Sequence, residues 1–226
     1  MKTNSSATKL ASVAALICGL DASTAAWGQN LYLTTELGGT LVNDVTIKNA
    51  GGIQATFDPG VGGTVCLGYR IAPAWAVEFE TGVLWNSFDK IGGVTLESMH
   101  ASADLYQIPF KLNVIYSAPT KGRWTPYIGA GAGGMATILE GSVDPVPGPA
   151  PASVSVIGNE NFCDIDLTFA YQAVVGLRYR LSPHAQVDVG YKFFGTLDHS
   201  WRDRGRDFKT EAIYTHAFLA SFTWSF

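Results

Sequence analysis

His199 is followed by Ser200, and His216 lies beside Thr215 with Ser221 further along the same stretch. A hydroxyl within reach of an imidazole is the raw material of hydrolysis and acyl transfer. Adjacent residues on a strand point to opposite faces, and residues 216 and 221 differ in parity, so His216 gains no hydroxyl partner from its own strand. His199 and Ser200 fall in an expected loop with no matched carboxylate arrangement. Neither grouping is a ready nucleophile and base, and the chain is expected not to be an enzyme. Gly129, Gly131 and Gly134 spell G-x-G-x-x-G, which cradles a pyrophosphate only where a helix follows. Here a proline-rich segment, residues 144–156, follows instead, and glycines that relieve crowding on a curved strand account for the pattern. No cofactor and no metal is expected. In residues 198–209, Arg202, Arg204, Arg206 and Lys209 alternate with Asp203 and Asp207. Guanidinium forks suit lipopolysaccharide phosphates or an acidic host surface, whereas the near-cancelling signs equally suit a solvated loop.

What must position these residues is a set of strands. Residues 1–28 read as a secretory signal peptide: Lys2 and Lys9, then the apolar run 10–20, then small residues with cleavage near 25–28. The apolar run is about half the ~20 residues that a spanning helix needs. Residues 29–226 form one domain, expected to be all-β. Apolar residues alternate with polar or small ones over residues 75–86, 106–116, 169–181 and 214–226, the period of half-buried strands. Residues 31–42, 61–71, 124–138 and 185–197 complete eight, an even count that lets a membrane barrel close. Short proline turns at 72–74, 118–123 and 182–184 alternate with long links at 43–60, 88–102, 139–164 and 198–210. Short turns at one end and long loops at the other are the mark of an antiparallel up-and-down transmembrane β-barrel of the outer membrane, turns periplasmic and loops extracellular.

Aromatic spacing is an independent check. Trp75 and Trp85, Tyr106 and Tyr116, Phe169 and Tyr179, and Tyr214 and Trp224 stand ten residues apart on one face. Ten residues at ~3.4 Å rise and ~40° tilt climb about 26 Å, close to the ~25 Å apolar band between two aromatic girdles. The opposite faces then put Glu36, Glu78, Glu80 and Asp188 inside with Arg70, Lys111, Arg178, Arg180 and Lys192. Eight strands leave room only for side chains, so these groups are expected to pair across the lumen as a polar plug, with Lys111 and Glu80 near mid-height. No wide pore follows, although a small porin is the alternative if water fills the interior. A net charge of −4 without a basic domain argues against nucleic acid as a partner. Of the cysteines, Cys18 leaves with the signal; whether Cys66, in an expected strand, pairs with Cys163, in an expected loop, is left open.

The segments LGYRIAPAWAVEFETG (67–82), TPYIGAGAGG (125–134) and GLRYRLSPHAQVDVGYKF (176–193) resemble the strand-turn-strand units of the small outer-membrane β-barrel proteins of Gram-negative bacteria, the OmpA-like and opacity-protein-like type. Trp224 and Phe226 are similar to the family's carboxyl-terminal assembly signal, while Leu219 and Ser221 fall where a polar residue and a glycine are commoner. The resemblance implies an integral outer-membrane protein with a structural or surface-interaction role in envelope integrity or adhesion. Its implied partners are outer-membrane lipid and lipopolysaccharide, the barrel-assembly machinery and a host or neighbouring-cell surface, with the protein a monomer. Some barrels of this size modify lipid A, which is the enzymatic alternative.

Overall fold

A computed structural model describes residues 30–48, 52–99, 101–143, 162–203 and 206–226. The signal peptide and the proline-rich segment 144–156 lie outside the described residues. The strands are β1 (Leu31–Val42), β2 (Val45–Ile47), β3 (Ile53–Phe57), β4 (Gly60–Ala72), β5 (Trp75–Ile91), β6 (Val94–Thr95), β7 (Ala101–Ser117), β8 (Trp124–Val143), β9 (Phe162–Arg180), β10 (Ala185–Thr196), β11 (His199–Asp203), β12 (Arg206–Thr210) and β13 (Tyr214–Ser225). Eight of them, β1, β4, β5, β7, β8, β9, β10 and β13, pair antiparallel with their neighbours in sequence, and β13 pairs back with β1 to close the barrel. Closure leaves no sheet edge in the membrane, where an unpaired backbone group has no water to bond.

Alternation decides the faces. Leu37, Leu67, Phe79, Phe110, Leu112, Val175, Val189 and Phe222 are exposed on the outside, while Glu36, Cys66, Glu78, Glu80, Lys111, Asn113, Val174, Asp188, Ser221 and Thr223 beside them are buried inside. At Gly68 a Cβ would lie 2.2 Å from the Tyr32 ring, and at Gly176 2.4 Å from the Tyr127 ring. Each glycine is therefore the floor on which an inward tyrosine lies. The β5–β7 ladder pairs Thr81 with Phe110 and Leu84 with Gln107 but skips the two positions between, where Pro109 has no N–H to donate.

Two expectations are corrected. The links 43–60 and 198–210 are not simple loops: β2 pairs with β3, β11 with β12, and the two hairpins meet at Thr210 and Ile47 to form a sheet above the barrel that runs onto the end of β5. These strands are three to five residues long, too short for a period to show. The link 139–164 is shorter than expected, because β8 continues to Val143 and β9 begins at Phe162; Cys163 lies in a strand opposite Glu140. Both cysteines are free, Cys66 buried in the lumen and Cys163 exposed.

The interior is layered rather than uniformly polar. Tyr32, Ala76, Ile115, Tyr127 and Val174 form one apolar cluster, and Leu84, Met135, Ala170, Phe194, Ala217 and Leu219 a second. Val42, Val45, Leu105 and Ile213 form a third, against which Phe57 and Phe88 pack. The charged groups are held among these clusters, which sharpens the cost of leaving any of them unpaired.

Candidate functional site in the barrel lumen

The central layer is a quartet of Glu36, Glu80, Lys111 and Lys192, carried on β1, β5, β7 and β10, each buried. Lys192 Nζ donates to Glu36 and, at 2.9 Å, to Glu80 Oε2, so one ammonium holds two carboxylates. Thr64 donates to Glu36. Glu80 also accepts from Asn113 Nδ2 at 3.0 Å and Gln172 Nε2 at 2.8 Å. Lys111 Nζ lies 3.4 Å from Glu80 Oε1, donates to Gln172 and stands 4.4 Å over the Phe194 ring. Two acids and two bases make the layer neutral, and its lone pairs are taken up by neighbours, as a buried ion cluster requires.

Toward the short-turn end, Tyr32 donates to Glu78 at 2.6 Å and Tyr127 to Asp188 at 2.8 Å. Arg178 lies 3.5 Å from Asp188 and 4.8 Å over the Tyr127 ring; that separation is an ion pair without a formed hydrogen bond. Arg70 stands 4.9 Å over Tyr32 and donates to Ser225 Oγ at 2.8 Å. A gap of about 10 Å³ bordered by Glu78, Arg178 and Lys192 separates the layers, no more than one water needs. Ligand atoms of Glu36, Cys66 and Glu80 lie within 4.8 Å of one another, but the Lys192 ammonium already bonds both carboxylates there, the position a cation would take.

The sequence-assigned lumen set is thus brought together with one exception. Arg180 is exposed at the rim, because it is the last residue of β9, opposite Gln186 at the start of β10. Tyr32, Thr64 and Tyr127 were missed; their parity with Glu36, Arg70 and Gly131 on their own strands was the available clue. Outside, Trp75 packs on Tyr116 at 4.9 Å and Trp124 on Tyr179 at 4.7 Å, with Trp224 stacked on His184, on the short-turn side. Trp85 is paired with Tyr106 and donates to Asp104, while Tyr214 stacks on Phe193; with exposed Phe169 they lie at the opposite end. Phe226 N donates to Leu31 O at 3.1 Å. Arg204 lies outside the described residues; the β11–β12 ladder sets Arg202 opposite Asp207 and Arg206 opposite Asp203, and Lys209 is exposed.

The histidines part ways. His216 faces outward, its Nδ1 2.6 Å from the Tyr191 hydroxyl. His199 is buried above the membrane, Nδ1 2.8 Å from Asp166 and Nε2 2.8 Å from Thr196 Oγ1. Burial lowers its pKa below the ordinary value, against the opposing pull of Asp166. The Thr196 hydroxyl accepts the Ile213 N–H at 3.0 Å and is itself buried, so the acid–imidazole–hydroxyl chain ties β9, β10 and β11 together.

The profile of the outer membrane protein beta-barrel domain matches residues 11–226. The chain belongs to this family. It is an outer-membrane protein that crosses the bilayer by strands. No curated protein matches it significantly. Among solved structures, outer membrane protein OprG from Pseudomonas aeruginosa is similar at 15% identity and TM-score 0.53, covering 88% of this chain and 98% of that one. Neisserial surface protein A gives 16% identity and TM-score 0.52, covering 87% and 97%. Outer membrane protein AlkL, solved in DMPC bilayers, gives 16% and 0.51, covering 92% and 96%. At these identities the likeness is one of fold.

Proposed function

We propose that this family member is a non-enzymatic barrel that acts through its envelope scaffold and surface hairpins and does not conduct solutes through its centre. The observation that carries the reading is the neutral Glu36–Glu80–Lys111–Lys192 layer, with Lys111 at 0% exposure between apolar clusters. A solvated channel would leave such groups wet. The enclosure of His199 and Thr196 favours a structural role for the imidazole over catalysis. On this reading the sheet of β2, β3, β11 and β12 is the surface that meets lipopolysaccharide or another cell, and Trp224 and Phe226 are what the assembly machinery reads. Single-channel recordings of the refolded protein should show small, rare openings at most; large stable conductance steps would replace this role with that of a porin. Lipid A from cells expressing the protein should keep its acyl pattern, and a change would make the barrel an enzyme.

A further inference from the structure

The exposed charged side chains around the short turns are basic. The turns 73–74, 118–123 and 181–184 contain no acidic side chain, yet Lys121, Arg123 and Arg180 are exposed there. The carboxylates of the lowest lumen layer, Glu78 and Asp188, are buried and bonded to Tyr32 and Tyr127. Arg123 and Arg180 are neighbours across the β8–β9 ladder: Trp124 pairs with Tyr179, and Arg180 N donates to Arg123 O at 2.9 Å. Like charges set directly opposite one another weaken a sheet. Among the described residues no carboxylate forms an ion pair with either.

The surroundings say what does. Trp124 is 55% exposed and packs on Tyr179, whose hydroxyl accepts from Arg123 Nη1 at 3.4 Å. Exposed tryptophan and tyrosine on a barrel wall sit at headgroup depth, which puts the two guanidinium groups at the level of lipid phosphates. Guanidinium forks bind phosphate oxygens bidentately, and an anion between Arg123 and Arg180 removes their repulsion. We propose that this rim, built on Arg123 and Arg180 beside the Trp124–Tyr179 pair, binds the phosphate of an anionic phospholipid of the periplasmic leaflet. The rings supply the wall against which the glycerol and upper acyl chain lie, and the acid-free turns exclude competing carboxylates. The proposal rests on the membrane location and orientation and is independent of whether the lumen conducts.

The test titrates the folded protein in neutral detergent with dioctanoyl phosphatidylglycerol and follows bound lipid by native mass spectrometry. Dioctanoyl phosphatidylcholine and glycerol phosphate are the neutral-lipid and headgroup-only arms. Phosphatidylglycerol should be retained in preference to both. Each basic residue near an anionic lipid is worth about fivefold, so Arg123→Gln/Arg180→Gln should weaken retention on the order of twentyfold. Lys90→Gln, at the other end of β5 from the turn 73–74, should leave it unchanged. If the glutamine pair fails to fold, Arg123→Gln alone should lose about fivefold while Arg123→Lys keeps most of the binding. Equal retention of the two lipids, equal binding of glycerol phosphate, or undiminished retention in the glutamine variants would overturn the proposal.

Discussion

Replacing Lys192 with methionine probes the lumen most directly. In the folded protein its ammonium bonds Glu36 and Glu80 at once, and the quartet with Lys111 is neutral. Lys192→Met leaves two buried carboxylates facing one lysine. Glu36 keeps the Thr64 hydroxyl, while Glu80 keeps Lys111, Asn113 and Gln172. Breaking a buried pair by removing one partner costs ~3–5 kcal/mol. Lys192 belongs at the upper end because it serves two acids, so the expected loss is about 5 kcal/mol. Lys111→Met belongs nearer 3 kcal/mol, since Glu80 retains the Lys192 contact at 2.9 Å and the new thioether stacks favourably over Phe194. Adding Glu36→Gln to Lys192→Met removes the orphaned charge and should recover about 2 kcal/mol. Equilibrium unfolding by urea in phospholipid vesicles, followed by tryptophan fluorescence, reads all three differences. Losses below ~1 kcal/mol for both lysine variants, the range of solvated pairs, would show that these charges stand in water and would refute the packed lumen. A Lys111→Met variant as damaged as Lys192→Met would refute the sharing of one ammonium between two acids.

A membrane-impermeant maleimide should label Cys163 on intact cells and reach Cys66 only after unfolding; protection of Cys163 until the outer membrane is opened would invert the topology. Because burial holds the pKa of His199 below its unfolded value near 6.5, the unfolded state binds more protons as pH falls below ~6.5. The docking of the β11–β12 hairpin should therefore weaken from pH 7.5 to 5.5, seen as faster amide exchange along β11 after correction for the intrinsic rate. His199→Gln should abolish that dependence; exchange equally pH-sensitive in the variant would assign it elsewhere. Gly176→Ala puts a Cβ 2.4 Å from the Tyr127 ring, which must shift away from Asp188, at a cost of about 1–3 kcal/mol in the same urea experiment. A loss under ~0.5 kcal/mol would mean the ring is not seated on that glycine.

The wall of this barrel was legible in the chain because a strand's two faces are set by parity alone. Once Trp75, Val77 and Phe79 face lipid, Glu78 and Glu80 face inward, whatever the neighbouring strands do. The girdle followed from the same parity plus a count of ten residues, a distance fixed by rise and tilt. Parity says which side a residue is on but not its height relative to another strand's residue. Height is set by register, and register is a property of the closed sheet. For that reason the pairing of Lys192 with both Glu36 and Glu80, strands far apart in sequence, was not in the alternation, although each residue was placed inside. The apolar cluster of Leu84, Met135, Phe194 and Leu219 was missed on the same ground: each is one large inward apolar residue among polar or small ones on its strand, and only stacking at a common level makes them a layer. Arg180 shares the inward parity of Arg178 yet ends at the rim, since the end of a strand depends on where its partner stops. The hairpins β2–β3 and β11–β12 are shorter than one readable period, and their stability comes from pairing with each other and with the upper end of β5, contacts that exist only once the barrel has brought those ends together.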